Sequence, residues 1–282
     1  MNKDFIYIIA FFLFGCRVSE PNEPNWYNLE DSPSFLDNDL VNKNNSDNII
    51  YKPKKEFIFE FQYFDSAGVQ LFPGIKFDEK CVEDHTVNCV KWVNYFEYKS
   101  LKSNHIIDFY KMSVYDSNGH MSMADHQTII KYEYFNKQFG KILFSNQTGL
   151  IEDSTQVFLH PPRGYSFSIL ELNPFPMIKL PPVIGKEWES EIYIPNKMLT
   201  KISNEFGRDD MSLSTVYEII EKRIVNSSFG EIQVYQIDAK NTGNDFETYL
   251  TAYYSEEYGF VELDYINYDK SKLFIKLVST KE

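Results

Sequence analysis

From Glu56 onward the chain is organised by alternation of apolar and polar positions. Phe57, Phe59, Phe61 and Tyr63 interleave with Ile58, Glu60, Gln62 and Phe64, the period of a strand. Asp65-Ser66-Ala67-Gly68 then supplies turn chemistry. Strand-like runs follow at Trp92–Tyr98, Ile106–Tyr115, Thr128–Phe135 and Ile142–Ser145, with Phe158, Tyr165, Phe167 and Ile169 as a weaker continuation. Asn118-Gly119 is a hairpin signal, because it accepts the positive φ that tight turns need. Pro174, Pro176, Pro181 and Pro182 interrupt the pattern, and a stretch so short of ladder donors must be an edge or a crossover. Beyond it lie a strand at Trp188–Ile194 and one helix, with Asn196 as its cap, Met198, Leu199, Ile202 and Phe206 on one face and Gly207 at its end. Five strands close the chain: Thr215–Val225, Gly230–Ala239, Phe246–Tyr254, Phe260–Tyr268 and Leu273–Val278. The pattern predicts a mainly β fold, a large curved antiparallel sheet or half-barrel meander with one short helix. It spans residues 55–282, with lobes 55–172 and 183–282 joined by the Pro-rich crossover.

The region before residue 55 reads differently. Residues 16–54 carry Pro21, Pro24, Pro33 and Pro53, many asparagines and several acids, a composition that cannot bury enough apolar surface to offset its ordering entropy. It is expected to be a flexible tether. Residues 1–15 hold Lys3 and an apolar run from Phe5 to Phe14, the form of a secretory signal peptide and too short to cross a bilayer. Leu13-Phe14-Gly15-Cys16 resembles the bacterial lipoprotein box, in which the cysteine receives acyl groups such as palmitate and becomes the first mature residue. The resemblance implies lipid attachment at Cys16 and a place in the cell envelope, anchored to a membrane, the outer one above all, with its periplasmic or surface face open.

A net charge of −13 argues against nucleic acid and against anionic headgroups, both of which need clustered Lys and Arg. Of three cysteines, Cys81 and Cys89 remain beside Cys16, and in an oxidising compartment they read as one disulfide worth roughly 2–3 kcal/mol. His85 between them leaves a metal site as the alternative, but the spacing and the ligand count fall short of zinc motifs. His120, Met121, Met123 and His126 offer copper-type donors, yet on a strand the imidazoles and thioethers face opposite sides. Gly164-Tyr-Ser166-Phe-Ser168 lacks the second glycine of a nucleophile elbow. No cofactor, metal or catalytic residue is assigned.

Leu180-Pro-Pro-Val-Ile-Gly-Lys-Glu-Trp188, Phe229-Gly-Glu-Ile-Gln-Val-Tyr-Gln-Ile and Tyr254-Ser-Glu-Glu-Tyr-Gly-Phe-Val-Glu-Leu resemble a recurring pattern of secreted or lipidated Bacteroidota proteins. Their sheet is similar to the half-barrel of the lipoprotein carriers LolA and LolB, and spirochaetes share such loose lipid boxes. The resemblance covers roughly the last third of the chain and implies a fold and a compartment, with Met198, Leu199, Ile202 and Phe206 as a lid over an acyl-binding concavity. Asp65-Ser66-Ala67 and Asp153-Ser154-Thr155 also resemble a short O-glycosylation motif of that phylum. Strands such as Phe246–Tyr254, apolar or aromatic on both faces, need cover on each. The expected function is a non-enzymatic envelope lipoprotein binding an apolar ligand or a partner protein. The alternatives are a structural component of an envelope assembly and a glycan-acting enzyme.

Overall fold

The structure is a computed structural model that describes residues 48–75, 90–101, 107–115, 127–136, 141–163, 165–196, 199, 209–242 and 246–282. The described residues form fourteen strands. The first eight are β1 (Glu56–Phe64), β2 (Gln70–Ile75), β3 (Val90–Val93), β4 (Phe109–Val114), β5 (Thr128–Asn136), β6 (Lys141–Glu152), β7 (Gln156–Leu159) and β8 (Met177–Lys179). The last six are β9 (Glu187–Ile194), β10 (Met211–Ser227), β11 (Gly230–Thr242), β12 (Tyr249–Ser255), β13 (Gly259–Ile266) and β14 (Lys272–Lys281). They form one antiparallel, curved, unclosed sheet in the order β8-β7-β6-β5-β4-β1-β14-β13-β12-β11-β10-β9, with β2 and β3 branching from β1. The expected mainly β fold is thus present, and the final five strands are β10 to β14.

Connectivity explains the curvature. β8 and β9 are opposite edges of this path. Laid flat, its eleven inter-strand intervals would separate them by about 53 Å at ~4.8 Å each. The chain passes from Lys179 at the end of β8 to Glu187 at the start of β9, eight residue steps that reach at most about 28 Å. The sheet must therefore curl until its edges approach, leaving a seam between β8 and β9. Its two halves join where β1 pairs with β14, from Glu56 opposite Lys281 to Phe64 opposite Lys272. The lobes inferred from the proline-rich interruption are two halves of one sheet.

Alternation sets the faces. On β1, Phe57, Phe59 and Tyr63 are buried while Glu60 and Gln62 are exposed. On β14, Leu273, Ile275 and Leu277 are buried and Lys272 and Lys276 are exposed. The proline-rich stretch becomes the three-residue edge strand β8, the position that its missing donors require.

Two expectations are corrected. Trp92–Tyr98 is not a continuous strand: β3 ends at Val93, and Tyr95–Ser100 is a short helix, α1. Asn94 turns the chain, its side chain accepting from the Glu97 N–H at 3.0 Å as an N-cap. Tyr165–Leu172 is a 3-10 helix rather than a strand continuation.

The tether also ends earlier than composition suggests. Asn48, Ile50 and Tyr51 are buried. The Ile50 and Tyr51 N–H groups donate to the two carboxylate oxygens of Glu152 at 2.8 and 2.9 Å. The Tyr51 hydroxyl accepts from the Phe260 N–H at 3.0 Å, across a gap that Gly259 leaves open with φ +77°. This strap ties the segment before β1 to β6 and β13.

Candidate functional site

A half-barrel can hold a ligand only if its inner side is free. Here the chain itself occupies that side, through residues 165–176. Phe167 is fully buried and sits with its ring 5.1 Å from Phe61, 5.7 Å from Trp92, 6.0 Å from Tyr110 and 5.3 Å from Tyr134. Those partners belong to β1, β3, β4 and β5, one half of the sheet. The same segment bonds to the other half. Leu172 O accepts from Asn241 Nδ2 at 2.7 Å and from Thr248 Oγ1 at 2.9 Å. Phe175 O accepts from the Tyr217 hydroxyl at 3.0 Å, and Asn173 Nδ2 donates to Asn267 Oδ1 at 2.8 Å. Residues 170–178 are all buried. The segment is an internal plug, pinned by hydrogen bonds because a 3-10 turn and a proline-rich run cannot satisfy all their own carbonyls.

The plug carries a buried ionic cluster. Arg163 Nε lies 3.1 Å from Glu171 Oε1, and His160 Nε2 lies 3.5 Å from Glu171 Oε2. His160 Nδ1 is 2.8 Å from Pro161 O, and the Arg163 guanidinium also meets His160 Nε2. Burial alone would raise the Glu171 carboxyl; the positive Arg163 and then His160 overcome it and hold the carboxyl down at about 2. His160 and Glu171 are enclosed, so this constellation locks the plug and is closed to a substrate.

Among the described residues, no segment covers the opposite, outer face. A recess of about 520 Å³ lies over β1, β14 and β13, with Glu60, Gln62, Asp108, Glu262 and Lys276 around it and Phe64 and Phe274 among its apolar lining. The two rings meet edge-on at 5.8 Å. Register extends this site across the sheet. Glu187, Glu218, Asp238, Thr251, Asp264, Phe274 and Gln62 face one another in sequence from β9 to β1. The neighbouring row is Glu221, Gln236, Tyr253, Glu262, Lys276 and Glu60. Lys276 lies 3.8 Å from Glu262, and the Arg223 guanidinium covers the Tyr253 ring at 4.7 Å.

Like charges directly opposite in a ladder are destabilising, and Glu187, Glu218 and Asp238 are three in a row. Asp238 Oδ1 accepts from Thr251 Oγ1 and Gln236 Nε2 at 3.0 and 3.1 Å. Asp264 Oδ1 is buried without a hydrogen-bond partner. Its carboxyl is pushed up to about 6, first by burial and then by Glu262, against the lowering effect of Arg223 and Lys276. Arg223 and Lys276 supply positive charge to this face and offset part of that cost.

Of the residues singled out from sequence, Cys16, Cys81, Cys89, Met198, Ile202 and Phe206 lie outside the described residues, as do His85, His120, Met121, Met123 and His126. Leu199 is buried, its N–H donating to Pro195 O at 3.3 Å. The two Asp-Ser motifs are turn-formers: Asp65 Oδ1 accepts from the Ala67 and Val69 N–H groups, and Asp153 Oδ1 from those of Thr155 and Gln156. The acidic row escaped sequence reading because it exists only once register is known. Its one visible trace is the alternation of Glu187, Glu189 and Glu191.

No family model and no curated protein matches the chain. Among solved structures it is similar to a candidate lipoprotein from Parabacteroides distasonis, at 10% identity and a TM-score of 0.40, covering 83% of this chain and 97% of that one. It is also similar to a candidate exported protein with a YmcC-like fold from Bacteroides fragilis, at 9% identity and a TM-score of 0.38, covering 83% and 98%. The hypothetical lipoprotein YmcC from Escherichia coli matches at 8% identity and a TM-score of 0.29, covering 80% and 84%.

Proposed function

We propose that the chain is a non-enzymatic lipoprotein of the cell envelope, anchored through Cys16 to the outer membrane, that binds a partner protein over the outer face of its sheet. The anchor rests on the Leu13-to-Cys16 sequence. The binding mode rests on the plug: with residues 170–178 buried against both halves of the sheet, an acyl chain could enter only by displacing them. The acidic rows and the recess on the opposite face offer an excess of carboxylates, aromatic surface and depth to a cationic partner.

The test places a photo-reactive phenylalanine analogue at Gln62, inside the recess, in living cells. The expected result is a discrete protein adduct that disappears when Glu60 and Glu262 are both changed to Lys. The reading fails if position 62 yields no adduct while the protein takes up a fatty-acid probe saturably, which restores the carrier. Separately, Cys16→Ala should move the protein out of the membrane fraction, and retention after a high-salt wash refutes the anchor.

A second reading, a glycan-acting enzyme, draws on Asp264, whose raised carboxyl beside Glu262 suits a proton donor. Hydrolysis of a chromogenic glycoside that is lost in Asp264→Asn would favour it over binding alone.

A further inference from the structure

We propose that the end of the sheet at which the anchor segment enters is a membrane-docking surface, whose aliphatic loop tips enter the interfacial layer of the bilayer that holds Cys16. This rests on the lipid anchor proposed above and goes beyond it, because it assigns which end of the domain meets the membrane.

Antiparallel order defines the end. β1 begins there, and alternation along β1-β14-β13-β12-β11-β10-β9 makes β9 begin and β10 end on the same side. Three connections therefore lie at this end: the strap before β1, residues 180–186 between β8 and β9, and the turn from β10 into β11. Each brings an exposed aliphatic side chain. Ile49 is 75% exposed between the buried Asn48 and Ile50. Val183 and Ile184 are 54% and 58% exposed, and Ile224, near the end of β10, is 66% exposed.

The backbone holds these groups outward. Pro181 and Pro182 fix φ ahead of Val183. The Lys186 N–H then donates to Val183 O at 3.1 Å, closing a turn with Ile184 and Gly185 at its corners. Gly185 has a φ of +77°, and a Cβ there would meet nothing within 4 Å, so the tip projects. Turn corners ordinarily take Gly, Pro, Asn, Asp or Ser. Ile184 occupies one without entering the core. The neighbouring bulge does the same for Ile220. The Gly185 N–H donates to Ile219 O at 2.7 Å, and the register passes from Ile219, opposite Ile237, to Glu221, opposite Gln236. Ile219 is buried and the skipped Ile220 is exposed, the re-aiming of a side chain that bulges provide.

The chain outside the described residues identifies the occupant. The described residues begin at Asn48, on this end, and Cys16 lies thirty-two residues earlier. That length reaches at most about 115 Å. An acyl group on Cys16 thus keeps the bilayer close to this end, at an effective concentration where a few aliphatic tips suffice. The two cations next to Ile224 are paired, Lys222 at 3.6 Å from Glu256 and Arg223 at 3.4 Å from Glu221. With a net charge of −13, this favours zwitterionic headgroups over anionic ones. The exposed Phe96, on α1 after β3, lies towards the opposite end, where β1 turns into β2, and serves as the control.

The experiment uses the full-length acylated protein in nanodiscs of phosphatidylethanolamine and phosphatidylcholine, with acyl chains brominated near the headgroups. Relative to the wild type, the emission added by Ile184→Trp should be blue-shifted and roughly halved by bromination, as at a depth of about 5–10 Å. The emission added by Phe96→Trp should be unaffected. In the Cys16→Ala background, Val183→Asp with Ile184→Asp should weaken partition into vesicles of the same lipids by roughly tenfold or more, with Tm unchanged. An unquenched Ile184→Trp, or equal quenching of Phe96→Trp, overturns end-on docking. Blue-shifted emission from Ile184→Trp in the Cys16→Ala protein before lipid is added would show the tip covered by the chain itself. A dimer dispersed by the double Asp change would assign the tip to a second copy, and either result overturns the proposal. If mass spectrometry finds no acyl group on Cys16, the anchor reading falls and docking with it. If the acyl group is present while the tip stays unquenched, the anchor stands and docking alone falls.

Discussion

Replacing Phe167 with Ala removes the keystone of the plug. The ring is fully buried and contacts four aromatic rings at 5.1 to 6.0 Å. Buried Phe→Ala changes cost about 3–5 kcal/mol through lost transfer energy and the cavity left behind. Aromatic pairs add about 0.5–1.5 kcal/mol each beyond area, which places this site at the upper end. For a domain of this size each kcal/mol lowers Tm by about 2–4 °C, so a fall of roughly 6–20 °C is expected. Urea unfolding followed by far-UV circular dichroism gives the equilibrium value, and Trp92, 5.7 Å from the ring, gives a fluorescence signal local to the plug. The variant should also admit benzene, as dry engineered cavities do, where the wild type does not. A loss below about 1 kcal/mol with an unchanged denaturant slope would show that residues 165–176 do not fill the sheet, since cavity formation at a packed site costs more.

Three further substitutions probe separate parts of the account. Glu171→Gln removes the fully enclosed carboxylate that faces the largely enclosed Arg163 and should cost about 3–5 kcal/mol at pH 7. The wild-type Glu171 carboxyl is depressed from 4.5 to about 2, so its contribution is present above pH 4.5 and is lost as pH falls through about 2; the variant's acid-unfolding curve should flatten over that window. Asp264 behaves in the opposite sense: raised from 3.8 to about 6, it favours the fold fully below pH 3.8 and loses that contribution as pH rises through 6. Asp264→Asn should therefore raise Tm at pH 7 to 8, and a lower Tm there would refute the assignment. Gly259→Ala forces a side chain into a φ of +77° and drives its Cβ into the Tyr51 hydroxyl. Thermal unfolding should show at least ~1–3 kcal/mol of destabilisation, and an unchanged Tm would mean that the strap is not docked there.

Much of the sheet is legible in the sequence because its determinants are local. Asn226-Ser-Ser-Phe-Gly230 closes β10 onto β11, and Gly230 has the positive φ of 90° that the turn demands. The prolines around β8 exclude it from the sheet centre, and it lies at the edge. What escaped depends on the rest of the molecule. Tyr165, Phe167 and Ile169 alternate as a strand does, and only the aromatic pocket formed by β1, β3, β4 and β5 makes a 3-10 turn the better way to bury Phe167. Trp92–Tyr98 looks like a strand until Asn94 finds the Glu97 N–H. Asn48 to Tyr51 sit in a tether-like composition, and their order comes from Glu152 and Phe260, roughly one hundred and two hundred residues away. The outer-face rows cross seven and six strands, and their linear trace is limited to the Glu187, Glu189 and Glu191 alternation and single acidic positions.

The central claim, that the chain fills its own half-barrel and binds through the opposite face, is tested most directly by titrating an environment-sensitive fatty-acid probe into the Cys16→Ala protein without detergent. The account predicts no saturable fluorescence change in that protein, because the plug fills the inner side of the sheet. A saturable enhancement at one probe per chain would contradict it and assign the inner face of the sheet to an acyl ligand.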